Sequence, residues 1–251
     1  MNRKSLFKRR WDSVTNSWKY NKNFYETTIL SKLSLNGDGT NLYIPTSTLN
    51  KNSIVLDFGA NIGTFIIHMH KSYGCRVIAY EPTPRLFEIL KNRFDKFDEI
   101  ELHEKAVWSE NIYKDFYDYP VSGGEANSFG HNPQWSNTVR SCLCESFDSI
   151  LERFEKVDIC KIDIEGAEIE VLSKASDESL QRCNQIIGEF HIQYSDKFRR
   201  GLPAITKEDV YGIIDRLNKL NFNHLITEWE DGIENSNPKY IIFYKENIIN
   251  E

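Results

Sequence analysis

The chain has 251 residues, of which 40% are hydrophobic, and a formal net charge of −6. That length can bury one substantial core, and the composition excludes the fibrous, disordered and membrane classes. The acidic balance also argues against a general nucleic-acid binder, which needs a basic face to displace counterions from phosphates.

No apolar run approaches the roughly 18 to 20 residues that span a bilayer. The basic start at Arg3, Lys4, Lys8, Arg9 and Arg10 runs into Trp11, Asp12 and Ser13 rather than an apolar signal core, and reads either as a solvated tail or as a cluster that meets a diphosphate or an acidic partner. The expectation is a cytoplasmic protein without a membrane span. Cys75, Cys142, Cys144, Cys160 and Cys183 are odd in number and lack C-x-x-C spacing, so they read as reduced thiols.

Residues 1–47 are expected to form a helical cap, in which residues 11 to about 47, rich in aromatics, Asn and Ser, form one or two helices before a loop with Gly37, Asp38 and Gly39. The principal domain is expected over 48–251. From Ser53, short β-branched runs alternate with amphipathic stretches, the mark of repeated β-α units around a mainly parallel sheet. The first strand reads Ile54 to Asp57, and a helix follows over Asn61 to Tyr73. Arg76 to Glu81 is the second strand. Pro84 suits the first turn of a helix that carries Leu86, Phe87, Leu90 and Phe94 on one side.

A third strand is expected over Ile100 to Val107. Residues 111–137 break the alternation with Tyr, Gly, Asn and Pro and read as a strand-and-loop insertion. Its aromatics, among them Tyr113, Phe116 and Phe129, suit either a small core of their own or stacking on a sugar face. The pattern resumes with a short strand at Val139 to Cys142, a helix at Phe147 to Phe154 and an apolar strand at Val157 to Ile162. A helix follows from near Gly166, then a strand at Gln185 to Phe190 and a helix at Lys207 to Leu220. Two last strands, Phe222 to Trp229 and Tyr240 to Tyr244, flank a polar turn with Asp231, Gly232, Asn237 and Pro238. They close the sheet as an antiparallel hairpin. The fold class is α/β and Rossmann-like.

Asp57-Phe58-Gly59-Ala60-Asn61-Ile62-Gly63 falls at the carboxyl end of the first strand, where open α/β sheets place ligands. Gly59 and Gly63 let the backbone approach a ligand closely. A dinucleotide site would carry G-x-G-x-x-G beneath a pyrophosphate. Here the spacing differs and a carboxylate precedes it, which suits a cationic ligand better. Glu81, about twenty residues beyond the turn, is placed to accept hydrogen bonds from both ribose hydroxyls of an adenosine.

Together with Glu81-Pro82-Thr83-Pro84, Lys105-Ala106-Val107 and above all Lys161-Ile162-Asp163-Ile164-Glu165-Gly166-Ala167-Glu168, this turn closely resembles the FkbM family of methyltransferases over roughly residues 50 to 195. The resemblance implies a class I methyltransferase fold with a seven-stranded sheet, S-adenosylmethionine as cofactor, and methylation of hydroxyl groups on sugars, polyketides and related metabolites. It further implies that Asp57, Gly59, Asn61 and Gly63 line the methionine end of the cofactor, that Glu81 holds the ribose, and that Ala106 and Val107 wall the adenine. Asn127 and Ser128 would be small polar residues near the cofactor.

An alcohol, with a pKa near the roughly 15.7 of water, needs help to lose its proton. Asp163 ends one strand, and Glu189 and His191 end the next, two residues apart and so on one side. Two readings stay open. In one, Asp163, Glu189 and His191 bind Mg²⁺ or Mn²⁺, which would relieve their mutual repulsion and activate the acceptor oxygen. In the other, His191 is the general base, oriented by a carboxylate. Glu165 is expected to touch substrate, and Glu168 to serve the first helical turn. Cys142 and Cys144 read as small core residues.

The expected function is methyl transfer to a hydroxyl of a small molecule, a sugar or nucleotide-activated sugar of surface polysaccharide synthesis, with no nucleic-acid partner. The sequence leaves a homo-oligomer open. The alternatives are a nicotinamide-dependent oxidoreductase or epimerase, whose three-glycine fingerprint is missing, and a non-catalytic S-adenosylmethionine-binding module.

Overall fold

A computed structural model describes residues 7–12, 17–20, 43–44, 48–119, 127–132, 137–190, 202, 205–229 and 239–246. Two strands come first, β1 (Phe7–Asp12) and β2 (Ser17–Tyr20). The repeating units follow: β3 (Ile54–Phe58), α1 (Thr64–Tyr73), β4 (Arg76–Tyr80), α2 (Pro84–Phe94) and β5 (Ile100–His103). Next come β6 (Ala106–Trp108), β7 (Ile112–Asp118), β8 (Thr138–Ser146) and α3 (Phe147–Leu151). The chain continues through β9 (Val157–Ile162), α4 (Glu168–Lys174), α5 (Asp177–Arg182), β10 (Cys183–Phe190), α6 (Lys207–Lys219), β11 (Phe222–Trp229) and β12 (Lys239–Lys245).

The large sheet runs β2-β1-β11-β12-β10-β9-β3-β4-β5. From β11 to β5 it is the expected seven-stranded core. Only β12 runs against its neighbours there, while β10, β9, β3, β4 and β5 are mutually parallel. Strand order reverses between β3 and β9, which opens a crevice at their carboxyl ends.

Alternation along each strand builds a core on either face. Leu56, Phe58, Ile78, Ile162 and Phe243 pack with Phe147, Leu172 and Ile213 from α3, α4 and α6. Val55, Val77, Ile159, Ile187 and Ile242 pack with Ile66 and Met69 of α1 and Leu90 and Phe94 of α2. Each such fully buried side chain contributes about 1.5–3 kcal/mol. Pro84 opens α2, and Thr206 and Asp209 form a reciprocal capping box on α6. Among the described residues no helix is long and apolar enough to cross a membrane, and all five cysteines are free and buried.

The structure departs from the sequence reading in four places. Most of the expected helical cap lies outside the described residues, but β1 and β2 are strands where helix was expected from about residue 11. The physical reason is the open edge at β11, whose unpaired backbone groups β1 satisfies in parallel register from Phe7↔Thr227 to Arg9↔Trp229. Tyr43 and Ile44 are fully buried on the α1 side of the sheet. There the Gln185 side chain accepts from Ile44 N at 2.9 Å and donates to Ile44 O at 2.8 Å.

The single strand expected at 100–107 is two. β5 leaves the large sheet at His103, opposite Tyr80, the last residue of β4, and β6 joins a separate sheet of order β6-β8-β7. β8 is accordingly longer than the Val139–Cys142 expected, because it pairs along the whole of β7. Cys142 and Cys144 are buried in this sheet's own small core beside Ala106, Trp108, Phe116 and Phe129. Finally, the helix expected from near Gly166 begins at Glu168, and a second short helix, α5, precedes β10. The polar turn with Asp231 and Pro238 lies outside the described residues.

Candidate functional site

The turn after β3 is set by backbone geometry. Gly59 has φ 81°, and a Cβ there would stand 1.8 Å from the Asp163 carbonyl oxygen, so only glycine lets this turn lie against the loop after β9. The N–H groups of Gly59 and Ala60 both donate to Tyr80 O at 3.0 Å, which ties the turn to β4. Gly63, at φ 85°, packs against α2, and its Cβ would meet Phe94 at 2.5 Å. Its role is therefore to seat one helix on another, off the wall of the crevice.

Glu81 follows β4 and is 5% exposed. Its Oε2 accepts from Asn61 N and its Oε1 from Thr83 N, both at 2.8 Å. Burial pushes its carboxyl up to about 7 against the pull of those amides. The Thr83 side chain also hydrogen-bonds this carboxylate, which, with about four lone-pair sites, keeps acceptor capacity beyond these three bonds.

The crevice is lined by Gly59, Asn61, Tyr80, Glu81, Pro82, Lys105, Ala106, Val107, Phe116, Asn127, Phe129, Asp163, Ile164 and Glu165. The second sheet thus supplies part of its wall. Asn127 is fixed there, accepting from Tyr119 N at 2.7 Å and donating to Thr83 Oγ1 at 2.9 Å. Ser128 stands behind the wall and braces the turn, its backbone bridging Tyr117 and its hydroxyl accepting from Gly130 N at 2.9 Å. The Tyr80 ring stacks on His103 at 4.5 Å, and its hydroxyl accepts from Arg153 at 2.9 Å.

Beneath the crevice lies a row of charges. Asp57 is fully buried, and burial pushes its carboxyl up to about 6 despite Lys161. The Lys161 ammonium sits 3.4 Å from Asp57 Oδ1 and is the cation that draws this carboxyl back down against its burial. The same ammonium donates to Asp163 Oδ2 at 3.3 Å and Gly59 O at 3.5 Å. Burial works to discharge Lys161, but the charges of Asp163, Asp57 and Glu189 outweigh it and hold the lysine above its usual range. Tyr240, opposite Glu189 across β10 and β12, hydrogen-bonds that carboxylate, and burial with the neighbouring charges raises its phenol well above normal.

Glu165 lines the crevice at φ 57°, a conformation a non-glycine residue seldom adopts. The fully buried Glu168 carboxylate holds it there, accepting from Ile164 N and Gly166 N at 3.1 Å on either side. Glu168 is thus a brace for the loop as well as an acidic residue of the first turn of α4.

The structure therefore brings Gly59, Asn61, Glu81, Ala106, Val107, Asn127, Asp163 and Glu165 to one wall, with Asp57 beneath it. Gly63, Ser128 and Glu189 stand off that wall, and His191 lies outside the described residues. Among the described residues no three His, Cys, Asp or Glu side chains gather to hold a metal. The argument for Mg²⁺ or Mn²⁺ was the repulsion of Asp163 and Glu189, and Lys161 supplies a cation that offsets it.

Lys161, Glu168 and Tyr240 are the contributors the sequence reading passed over or undervalued. A lysine inside the otherwise apolar run Val157–Ile162 is a legible signal, since an unpaired charge is almost never buried. Tyr240 carries no such mark, because only the antiparallel register of β12 sets it beside Glu189.

Two curated relatives match part of the chain. Methyltransferase 1 of Beauveria bassiana (strain ARSEF 2860) is 22% identical over 159 residues, covering 55% of this chain and 64% of its own length. Methyltransferase sdnD of Sordaria araneosa is 22% identical over 176 residues, covering 57% of this chain and 68% of its own. Among solved structures, an rRNA methylase from Streptococcus thermophilus overlaps 78% of this chain and 89% of its own at 11% identity, with TM-score 0.46. A Streptococcus mutans methyltransferase in complex with SAH overlaps 78% and 90% at 10% identity, with TM-score 0.46. The family model described as the methyltransferase FkbM domain matches residues 57–223, well over half of the chain. The protein therefore belongs to the FkbM methyltransferase family.

Proposed function

We propose that the protein is an S-adenosylmethionine-dependent O-methyltransferase acting in the cytoplasm on a hydroxyl of a small molecule, a sugar or nucleotide-activated sugar destined for surface polysaccharide. The observation that carries the cofactor is Glu81, a buried carboxylate fixed by two backbone amides at the mouth of the crevice, with acceptor capacity left for a ribose diol. The charges around it fit a cation. Asp163 and Glu165 line the crevice and Asp57 underlies it, so a sulfonium is attracted where the diphosphate of a nicotinamide cofactor would be repelled. Ala106, Val107, Phe116 and Phe129 offer the apolar wall that a purine or a sugar face needs.

When bound, S-adenosylmethionine supplies an electrophilic methyl group on a positively charged sulfur. The protein's part is to hold the acceptor oxygen in line with that carbon and to receive the hydroxyl proton. Asp163, anchored by Lys161 at the crevice wall, and His191, which follows Glu189 by two residues, are the proposed proton acceptors. Phe116 and Phe129 support a sugar acceptor, whose apolar ring face would stack on theirs.

Thermal denaturation with S-adenosylmethionine, S-adenosylhomocysteine or NAD, each with and without Mg²⁺ or Mn²⁺, tests the cofactor, because a ligand of the native state raises Tm. Stabilisation by both adenosyl ligands is expected. Stabilisation by NAD alone would overturn the reading in favour of an oxidoreductase. A radiolabelled-methyl screen of sugar and nucleotide-sugar acceptors tests the reaction. Asp163→Asn should abolish transfer while leaving adenosyl-ligand binding intact.

A further inference from the structure

Two successive residues of the loop after β9 have left-handed backbone, Glu165 at φ 57° and Gly166 at φ 98°. Glycine takes that conformation freely, whereas the Cβ of a glutamate crowds the following carbonyl oxygen, and only Asn and Asp are common exceptions. A turn alone would be better served by glycine at both positions. The fully buried Glu168 carboxylate imposes the conformation instead. Its Oε1 accepts from Ile164 N and Gly166 N, and its Oε2 from Gly166 N, all at 3.1 Å and on either side of Glu165. Strain that the surroundings over-determine is typical of ligand clamps, and here the strained residue is half-buried and lines the crevice.

The neighbours of Glu165 define the ligand it suits. Asp163, two residues earlier on the same loop, lines the crevice and is a proposed acceptor of the hydroxyl proton. Ile164, between them, also lines the crevice and packs against the small core of the second sheet, with Ala167, Phe116 and Phe129. Those two rings meet edge to face at 5.3 Å and reach the same wall. One corner thus joins an aromatic surface to two carboxylates on one short loop. Glu81 stands apart from it, because β4 and β9 lie two strand spacings, about 10 Å, apart with β3 between them. A sugar ring matches the corner, with an apolar C–H face for the rings and hydroxyls on adjacent carbons for the two carboxylates. An isolated alcohol or a phenol engages only one of the two.

We propose that Glu165 is the specificity-determining residue for the acceptor, receiving a hydrogen bond from the ring hydroxyl next to the one that is methylated, so that the site selects a vicinal diol. This rests on the proposed sugar acceptor and on Asp163 taking the proton. Glu168 acts through Glu165, by holding the loop in the conformation that keeps it at the crevice.

The test begins with radiolabelled-methyl transfer to glucose, galactose, mannose, UDP-glucose, UDP-galactose and GDP-mannose, and with location of the methylated oxygen. The deoxy analogues lacking a hydroxyl beside that oxygen are then compared with the parent sugar. In the wild type, one analogue is expected to lose about tenfold to a hundredfold in kcat/KM, the scale of one hydrogen bond to a charged group. Glu165→Gly, which removes the side chain and relieves the backbone, should treat that analogue and the parent alike within about threefold. Its S-adenosylhomocysteine affinity should also stay within about threefold of wild type, with no loss of Tm. Discrimination that survives in Glu165→Gly would overturn the proposal, and so would a tenfold loss of S-adenosylhomocysteine affinity, which would assign the residue to the cofactor. If Glu165→Gly does not fold, Glu165→Asn, which tolerates the same φ, decides by the same outcomes. A Tm lowered by several degrees in both variants would make Glu165 a structural residue and overturn the proposal. A wild type that binds S-adenosylhomocysteine but methylates none of the six acceptors would overturn the sugar reading and this inference with it. Failure to bind S-adenosylhomocysteine would refute the proposed cofactor, a result distinct from both.

Discussion

Replacing Glu81 by alanine removes the acceptor of two backbone N–H groups, those of Asn61 and Thr83, each at 2.8 Å. A buried donor left without a partner costs about 1–3 kcal/mol, so the pair predicts a loss of about 2–6 kcal/mol in stability. For a domain of this size each kcal/mol lowers Tm by about 2–4 °C. The same carboxylate is the proposed acceptor of two ribose hydroxyls, and a hydrogen bond to a charged group is worth about 1.5–3 kcal/mol. S-adenosylhomocysteine affinity should therefore drop at least about a hundredfold. Glu81→Gln keeps one acceptor oxygen and turns an amide donor towards the other N–H, so it should lose affinity to a similar degree with a smaller fall in Tm.

The pH dependence supplies an independent check on the same residue. Burial raises the Glu81 carboxyl from 4.5 to about 7. Between those values the folded protein holds a proton that the unfolded chain has released, so the Glu81 contribution to stability is full below about 4.5 and lost as pH rises through about 7. Ribose binding needs the ionised carboxylate and runs the other way, with affinity weakening as pH falls through about 7. Calorimetric titration with S-adenosylhomocysteine from about pH 5.5 to 8.5, a window set around that value, reads the affinity, and thermal denaturation of the free protein over the same window reads the stability. A Glu81→Ala protein that binds within threefold of wild type, or a wild-type affinity flat across that window, would refute the reasoning.

Three further substitutions probe the supports of the crevice. Gly59→Ala forces a Cβ to 1.8 Å from the Asp163 carbonyl at a φ of 81°, and should abolish ligand-induced stabilisation and lower Tm by several degrees. Glu168→Ala strands the N–H groups of Ile164 and Gly166, so chemical denaturation should show a loss of about 2–6 kcal/mol. An unchanged unfolding midpoint would mean that the loop is not braced by that carboxylate. Gln185→Ala frees both backbone groups of Ile44, and hydrogen exchange at the Ile44 amide should accelerate by at least about tenfold, whereas unchanged protection would show that the segment is held by packing alone.

Much of the architecture was legible in the sequence because strand and helix periods are local. The runs at Ile54, Arg76 and Val157, the Pro84 helix start and the closing hairpin needed only alternation and turn chemistry. The break after His103 did not show, because Ile100–Trp108 reads as one run and only the end of β4 at Tyr80 obliges the chain to change sheets. β1 was hidden for a related reason: an edge strand is recruited by the unpaired backbone of β11, which its own composition does not announce.

The site divides along the same line. Asp57, Glu81 and Asp163 stood out because carboxylates at strand ends are conspicuous. The reading missed that Lys161 already balances them, since that depends on the pairing of β3 with β9. The case for a divalent cation therefore weakens once the lysine is placed.

The most direct test of the account is a crystal structure with S-adenosylhomocysteine bound. It should show the ribose diol on Glu81 and the purine against Ala106 and Val107. A ligand seated elsewhere, with Glu81 bonded only to Asn61 and Thr83, would contradict it.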